Sequence, residues 1–118
     1  MKNLAPDITR QRLLIEGFYG INIDENVIRE YFKGIVKALG LRRYGEMIVH
    51  CAHGKGKEIN DGYDAFIPLI DSGISVYIWT KQKFLSVIIY TCKTFDESKA
   101  LEFTKEFFKA REIESQSF

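Results

Sequence analysis

Apolar and polar residues change their period several times along this chain, and each change marks an element. Ile74–Trp79 alternates strictly, with Ile74, Val76 and Ile78 on one side and Ser75, Tyr77 and Trp79 on the other. That period of two is the mark of a half-buried strand. Before it, Gly62–Ile70 is apolar on both alternating sets except at Asp64. After it, the polar connection Thr80–Lys83 leads into a third β-rich run, Phe84–Cys92. Asp71-Ser72-Gly73 breaks the first two runs apart with turn-forming residues. Three consecutive strands are therefore expected between Gly62 and Lys93. A face of aliphatic residues suits a core, and a face carrying Ser, Tyr and Trp suits a site.

The remaining chain reads around this centre. Arg12–Tyr19 alternates enough to form an opening strand. Asp24 is placed to cap a helix whose first turn begins at Glu25. Val27, Ile28, Tyr31, Ile35 and Leu39 recur at helical spacing, and Gly40 supplies the stop. Arg42–Ala52 holds a short apolar strand at Met47-Ile48-Val49, and the loop His53–Asp61 has no apolar periodicity. Thr94 and Glu97 match a capping box, with Asp96 as the alternative cap. Leu101, Thr104, Phe107 and Phe108 give the closing helix its buried stripe. Met1–Arg10, with Pro6, is expected to be an irregular lead-in. The order β-α-β-β-β-β-α predicts one α+β domain over residues 1–118. It is a two-layer sandwich, an antiparallel sheet with two helices packed on one face.

Composition narrows the class. At 118 residues the chain builds one core, not two. A formal charge of +1 gives no general attraction to nucleic acid or to a membrane surface. The 46% hydrophobic and 28% charged content is that of an ordinary soluble protein. No apolar run is long enough to span a bilayer, and MKNLAPDITRQR lacks the apolar core of a signal peptide. Cys51 and Cys92 are the only cysteines, too few for a disulfide framework and suited to a reducing cytoplasm. His50, Cys51 and His53 are close in sequence, but neighbouring strand residues point to opposite faces, so no metal site is expected.

The sequence Asp71-Ser72-Gly73-Ile74-Ser75-Val76-Tyr77-Ile78-Trp79, followed by Tyr90-Thr91-Cys92, resembles the prokaryotic S-adenosylmethionine decarboxylase family. That family's pattern is Glu-Ser-His-x-Ser-x-His-x-Trp, then a strand ending in Phe-Thr-Cys. The resemblance runs from about Arg12 to Ala110 and includes an opening strand ending in Tyr19-Gly20 and a Phe-rich closing helix. It implies the family's two-layer fold, a small substrate of the S-adenosylmethionine type, and a homo-oligomer. It also gives residues their roles. Ser72 matches the serine that cleaves its own chain to become a pyruvoyl group, which serves as a Schiff-base electron sink. Cys92 matches the proton donor of decarboxylation, although residue type alone reads it as a small buried hydrophobe.

The departures are as informative as the matches. Asp64 stands where the family has a processing serine, and Tyr77 where it has a processing histidine. Gly73 replaces the histidine after the serine, and Asp71 the glutamate before it. Ester formation at Ser72 needs a base and a stabilised oxyanion. A carboxylate and a phenol with a pKa near 10 are poor substitutes for a hydroxyl and an imidazole. Tyr77 and Trp79 share a face and can flank an adenine or a sulfonium. Asp64, a lone charge in an apolar run, calls for a cationic partner such as a substrate ammonium. Lys55 and Lys57, in the glycine-bearing loop His53-Gly54-Lys55-Gly56-Lys57, suit an anion only weakly and are otherwise solvated.

These residues predict a lyase that acts on S-adenosylmethionine or a nucleotide derivative with no cofactor, releasing methylthioadenosine and homoserine lactone. Asp64, Tyr77, Ser72 and Cys92 are the candidate catalytic residues, and Trp79, Ser75, Asp71, Lys55 and Lys57 the candidate substrate-binding ones. The alternatives are a decarboxylase carrying pyruvoyl from Ser72 and feeding polyamine synthesis, with S-adenosylmethionine or an amino acid as substrate, and a non-catalytic ligand-binding homologue.

Overall fold

The structure is a computed structural model that describes residues 1–118. Its elements in chain order are β1 (Gln11–Phe18), α1 (Glu25–Ala38), β2 (Ile48–Cys51), β3 (Gly62–Leu69), β4 (Ser72–Trp79), β5 (Phe84–Thr91), α2 (Glu97–Phe108) and β6 (Glu112–Ser117), with one 3-10 turn at Glu58–Asn60. The strands form a single sheet in the order β2-β3-β4-β5-β1-β6, every pair antiparallel. The expected two-layer α+β architecture is what the chain adopts.

Alternation sorts the side chains onto two unlike faces. Leu13, Ile15, Ala65, Ile67, Leu69, Ile74, Val76, Ile78, Leu85, Val87 and Ile89 are buried on the helix-covered face. Ile28, Tyr31, Phe32 and Ile35 of α1 and Ala100, Thr104 and Phe108 of α2 close over them. The two helices approach closely at Gly34, where a Cβ would meet the Phe103 ring at 2.4 Å. Thr104 donates to the Ala100 carbonyl at 2.8 Å, so the buried contact of 2.8 Å between the Tyr31 and Thr104 hydroxyls has Tyr31 as donor. Burial pushes the Tyr31 phenol far up. The opposite face carries no helix.

Several local expectations are corrected. The bend between β3 and β4 is made by Ile70 and Asp71, with Asp71 at φ 65°. Ser72 and Gly73 already belong to β4, Ser72 paired with Leu69 and Gly73 with Pro68. A two-residue hairpin needs a left-handed residue, which an aspartate tolerates. The Asp24 cap forms as read, accepting from the Val27 amide at 2.9 Å. At α2 the cap is Asp96, which accepts from the Lys99 amide at 3.1 Å, and no Thr94 capping box forms. Glu97 instead binds Gln11 Nε2 at 3.0 Å and the Ser117 hydroxyl. Ala100 and not Leu101 leads the buried stripe of α2. The sequence reading stopped short of β6, whose residues EIESQS carry a single apolar position.

Candidate functional site

The open face of the sheet holds Asp64, Ser75, Tyr77 and Trp79, whereas Ser72 alternates with Ile74, Val76 and Ile78 toward the helix-covered face. Register decides which of them meet. Asp64 of β3 lies directly opposite Tyr77 of β4, and Gly62 opposite Trp79. The loop between β2 and β3 folds over this end through its 3-10 turn, where Asn60 Oδ1 accepts from Trp79 Nε1 at 3.0 Å. The result is a cleft of about 320 Å³ lined by Ala52, Gly56, Lys57, Asn60, Asp64, Tyr77, Ile78 and Trp79. Trp79 also leans on Phe84, ring centroids 5.3 Å apart, and Phe84 on Phe18 at 5.4 Å. An aromatic shelf therefore adjoins the cleft.

Asp64 is exposed here. The expectation of a lone charge inside an apolar strand is corrected by the pleat: Asp64 shares the open face with Phe66 and Pro68, while Ala65, Ile67 and Leu69 turn inward. Solvent satisfies the carboxylate. Lys57 reaches the cleft, whereas Lys55 is exposed and lines no part of it. His53 and the Gly54 amide both turn to the Asp61 carboxylate, at 3.7 and 3.3 Å. That carboxylate pins the loop and occupies one of the amides that an anion would use.

Ser72 lies at the far end of β4. It shares a second cleft, about 390 Å³, with Phe66, Asp71, Gly73, Ser75, Ile88, Tyr90 and Cys92. Five residues of strand, about 16 Å, separate Ser72 from Tyr77. Ser72 Oγ donates to Thr91 Oγ1 at 2.6 Å, and the buried Thr91 hydroxyl passes its own proton to the Lys93 carbonyl at 2.9 Å. The Cys92 amide donates to the Asp71 carbonyl at 2.7 Å, which ties the hairpin to the end of β5. Cys92 is exposed, correcting the reading of it as a small buried hydrophobe. It falls one residue past β5, where its thiol is no longer held to the core face. Phe66 lies over Gly73, so a Cβ there would meet the ring at 2.8 Å.

The predicted residues therefore form two groups. Asp64, Tyr77, Trp79 and Lys57 converge at one end of β4, and Asp71, Ser72, Ser75 and Cys92 at the other. Sequence reasoning missed Asn60 and Phe66. Asn60 sits in a loop without periodicity, and Phe66 reads as one more apolar strand residue until its partner Gly73 is known. Behind the first cleft, on the core side, burial pushes the phenols of Tyr19 and Tyr63 up. The charge of Tyr63 adds to the effect on Tyr19, and those of Cys51, Asp24 and Glu25 to that on Tyr63.

Comparisons with known proteins agree with this fold. A family model described as S-adenosylmethionine decarboxylase matches residues 14–118. S-adenosylmethionine decarboxylase proenzymes of Clostridium botulinum are similar, that of strain Langeland being 26% identical over 103 residues, 85% of this chain and 86% of the relative. The proenzyme of strain Loch Maree is 27% identical over the same span. The crystal structure of the adenosylmethionine decarboxylase from Aquifex aeolicus shares the fold, with a TM-score of 0.71 at 22% identity, covering 94% of this chain and 89% of that one. With its six-stranded antiparallel sheet, its two helices on one face and a family match over nearly its whole length, this chain belongs to the S-adenosylmethionine decarboxylase family.

Proposed function

We propose that this chain is a lyase acting on S-adenosylmethionine or a nucleotide derivative of it, without pyruvoyl. The observation that carries the reading is the pairing of Asp64 with Tyr77 in a cleft bounded by Trp79 and Lys57. Asp64 binds the substrate ammonium, Tyr77 orients the methionine tail, and Trp79 packs on the adenosine. Lys57 suits the anionic part of a phosphate-bearing derivative. The substrate's own carboxylate then attacks its γ-carbon. The carbon–sulfur bond breaks, its electron pair neutralises the sulfonium, and methylthioadenosine leaves as homoserine lactone closes. Charge and atoms balance with no proton, oxidant or cofactor. The protein's contribution is to fold a flexible tail into attack geometry.

The surroundings of Ser72 fit poorly with the pyruvoyl group that the family implies. Self-cleavage requires a base to accept the serine proton, yet that proton goes to a threonine hydroxyl already engaged with the backbone. No step is therefore assigned to such a group. One observation favours the second reading, a pyruvoyl-dependent decarboxylase: Ser72 and Cys92 share one cleft. Intact mass of the purified chain separates the two. A single uncleaved mass, with methylthioadenosine and homoserine lactone or homoserine on chromatography, supports the lyase. Two fragments meeting at Ser72, with release of carbon dioxide, support the decarboxylase. Binding of S-adenosylmethionine with neither product leaves a non-catalytic homologue.

The same reading includes a homo-oligomer. The open face carries Ile48, Phe66, Ile88 and Leu14 in one register, with Ser75 between Phe66 and Ile88, a mostly apolar row that a second copy can cover. Because the two clefts lie at opposite ends of one strand, a second copy packed in the reverse direction brings its Ser72 end to the first copy's Tyr77 end. Sedimentation that gives a monomer at all concentrations refutes this assembly.

A further inference from the structure

A polar row on the open face runs further than the proposed function uses. Register sets His50, Asp64, Tyr77, Ser86, Glu16 and Glu114 opposite one another on six successive strands. The aromatic residues Trp79, Phe84 and Phe18 flank it on one side. Ser86, only 6% exposed, donates its hydroxyl to Glu16 Oε2 at 3.0 Å. That bond draws the Glu16 carboxylate toward β5, and so toward Tyr77.

No cation answers Glu16 within the chain. The five ion pairs are Glu25–Arg29, Glu30–Lys33, Arg43–Glu46, Asp61–His53 and Glu58–Lys81. The residue across from Glu16 on β6 is another carboxylate, Glu114, and like charges placed directly opposite each other are unfavourable. The fold thus fixes the direction of Glu16 with a nearly buried serine while leaving its charge unmet. Asp64 and Glu16 stand on either side of Tyr77 and Ser86, three strand steps or about 14 Å apart at the backbone. Part of that span is covered by the Glu16 side chain.

We propose that Glu16 is the specificity-determining residue that recognises the sulfonium of the ligand, while Asp64 takes its ammonium. This rests on the proposed substrate class and deepens it. The ligand lies across Tyr77 and Ser86, and the row selects a molecule with two positive centres. A neutral thioether of the same shape, such as S-adenosylhomocysteine, lacks the charge that Glu16 answers.

Calorimetric titration of the full chain with S-adenosylmethionine and with S-adenosylhomocysteine tests this. The wild type is expected to favour the sulfonium by about tenfold or more, the ratio expected for one charge-assisted contact. Glu16→Gln should lose about that factor for S-adenosylmethionine and almost none for S-adenosylhomocysteine. Ser86→Ala, which keeps the charge but frees the side chain, should lose part of the preference, and it carries the test if Glu16→Gln does not fold. Equal losses for both ligands mark Glu16 as structural and overturn the assignment, as does an unchanged preference in Glu16→Gln. A wild type that binds neither ligand sinks the substrate reading and this assignment together. If Asp64→Asn weakens both ligands while Glu16→Gln changes nothing, the substrate reading stands and only Glu16 falls.

Discussion

Asp64 and Tyr77 face each other directly across β3 and β4, both on the side of the sheet that no helix covers. A carboxylate beside a phenol grips a cation well and moves a serine proton poorly. Asp64→Asn should therefore weaken S-adenosylmethionine binding by about 1.5–3 kcal/mol, the usual worth of a charge-assisted hydrogen bond. Tyr77→Phe keeps the ring and loses only the hydroxyl, so turnover should fall more than affinity. Titration and steady-state kinetics read the two effects separately, and an Asp64→Asn protein with unchanged affinity defeats the proposed site.

Ser72 offers the sharpest contrast between the two enzymatic readings. In the lyase, Ser72→Ala removes a hydrogen bond to Thr91 and leaves the distant cleft untouched, so methylthioadenosine release should stay within about twofold of wild type. In a pyruvoyl enzyme the same change abolishes both cleavage and activity. Rate and intact mass on one sample decide between them.

Two glycines of the central hairpin differ in what a methyl group would strike. At Gly62 an added Cβ meets the Ile78 carbonyl oxygen at 1.7 Å, a backbone atom that cannot step aside. At Gly73 it meets the half-exposed Phe66 ring at 2.8 Å, which can swing outward. Gly62→Ala should cost more than about 3 kcal/mol, and Gly73→Ala about 1–2 kcal/mol. Phe66→Ala should cancel much of the Gly73→Ala penalty in a double-mutant cycle. Denaturant unfolding gives all four numbers.

Alkaline stability should report on the buried phenols. Tyr31 has its pKa raised in the folded chain by burial, against an unfolded value of about 10. The unfolded state then loses its proton first, so the stabilisation is complete below about pH 10 and declines as pH rises above it. Tyr19 and Tyr63 shift in the same direction and add to the decline. Tyr31→Phe should cost about 1 kcal/mol at neutral pH, since Thr104 keeps its bond to the Ala100 carbonyl. The variant should also show a shallower alkaline limb. A limb as steep as wild type would mean that Tyr31 does not titrate with unfolding.

Legibility in the sequence followed the strength of each local signal. Strict alternation at Ile74–Trp79 gave the central strand and both its faces, because burial on one side imposes a period of two. Asp24 was readable as a cap because it directly precedes an apolar stripe. The strand β6 was not readable: EIESQS owes its extended form to pairing along β1, and its one inward apolar residue, Ile113, sets no period. Asp96 displaced the capping box because Glu97 is engaged elsewhere, by Gln11 and Ser117. Asp64, Tyr77, Trp79, Lys57, Asp71, Ser72, Ser75 and Cys92 were legible as candidates, but Asn60 and Phe66 were not, nor was the division into two ends. That division depends on where the hairpin bends, and Ile70-Asp71 bends one residue earlier than Asp71-Ser72-Gly73 suggests.

The distance along β4 also turns energetic coupling into a ruler. Within one chain, substitutions at Ser72 and at Asp64 are far enough apart, with no shared partner, that their effects should simply add. Departure from additivity between them therefore measures contact between the end of one copy and the opposite end of another. A pair of variants that each leave the fold intact can thus sense assembly in solution, with no label attached to either site.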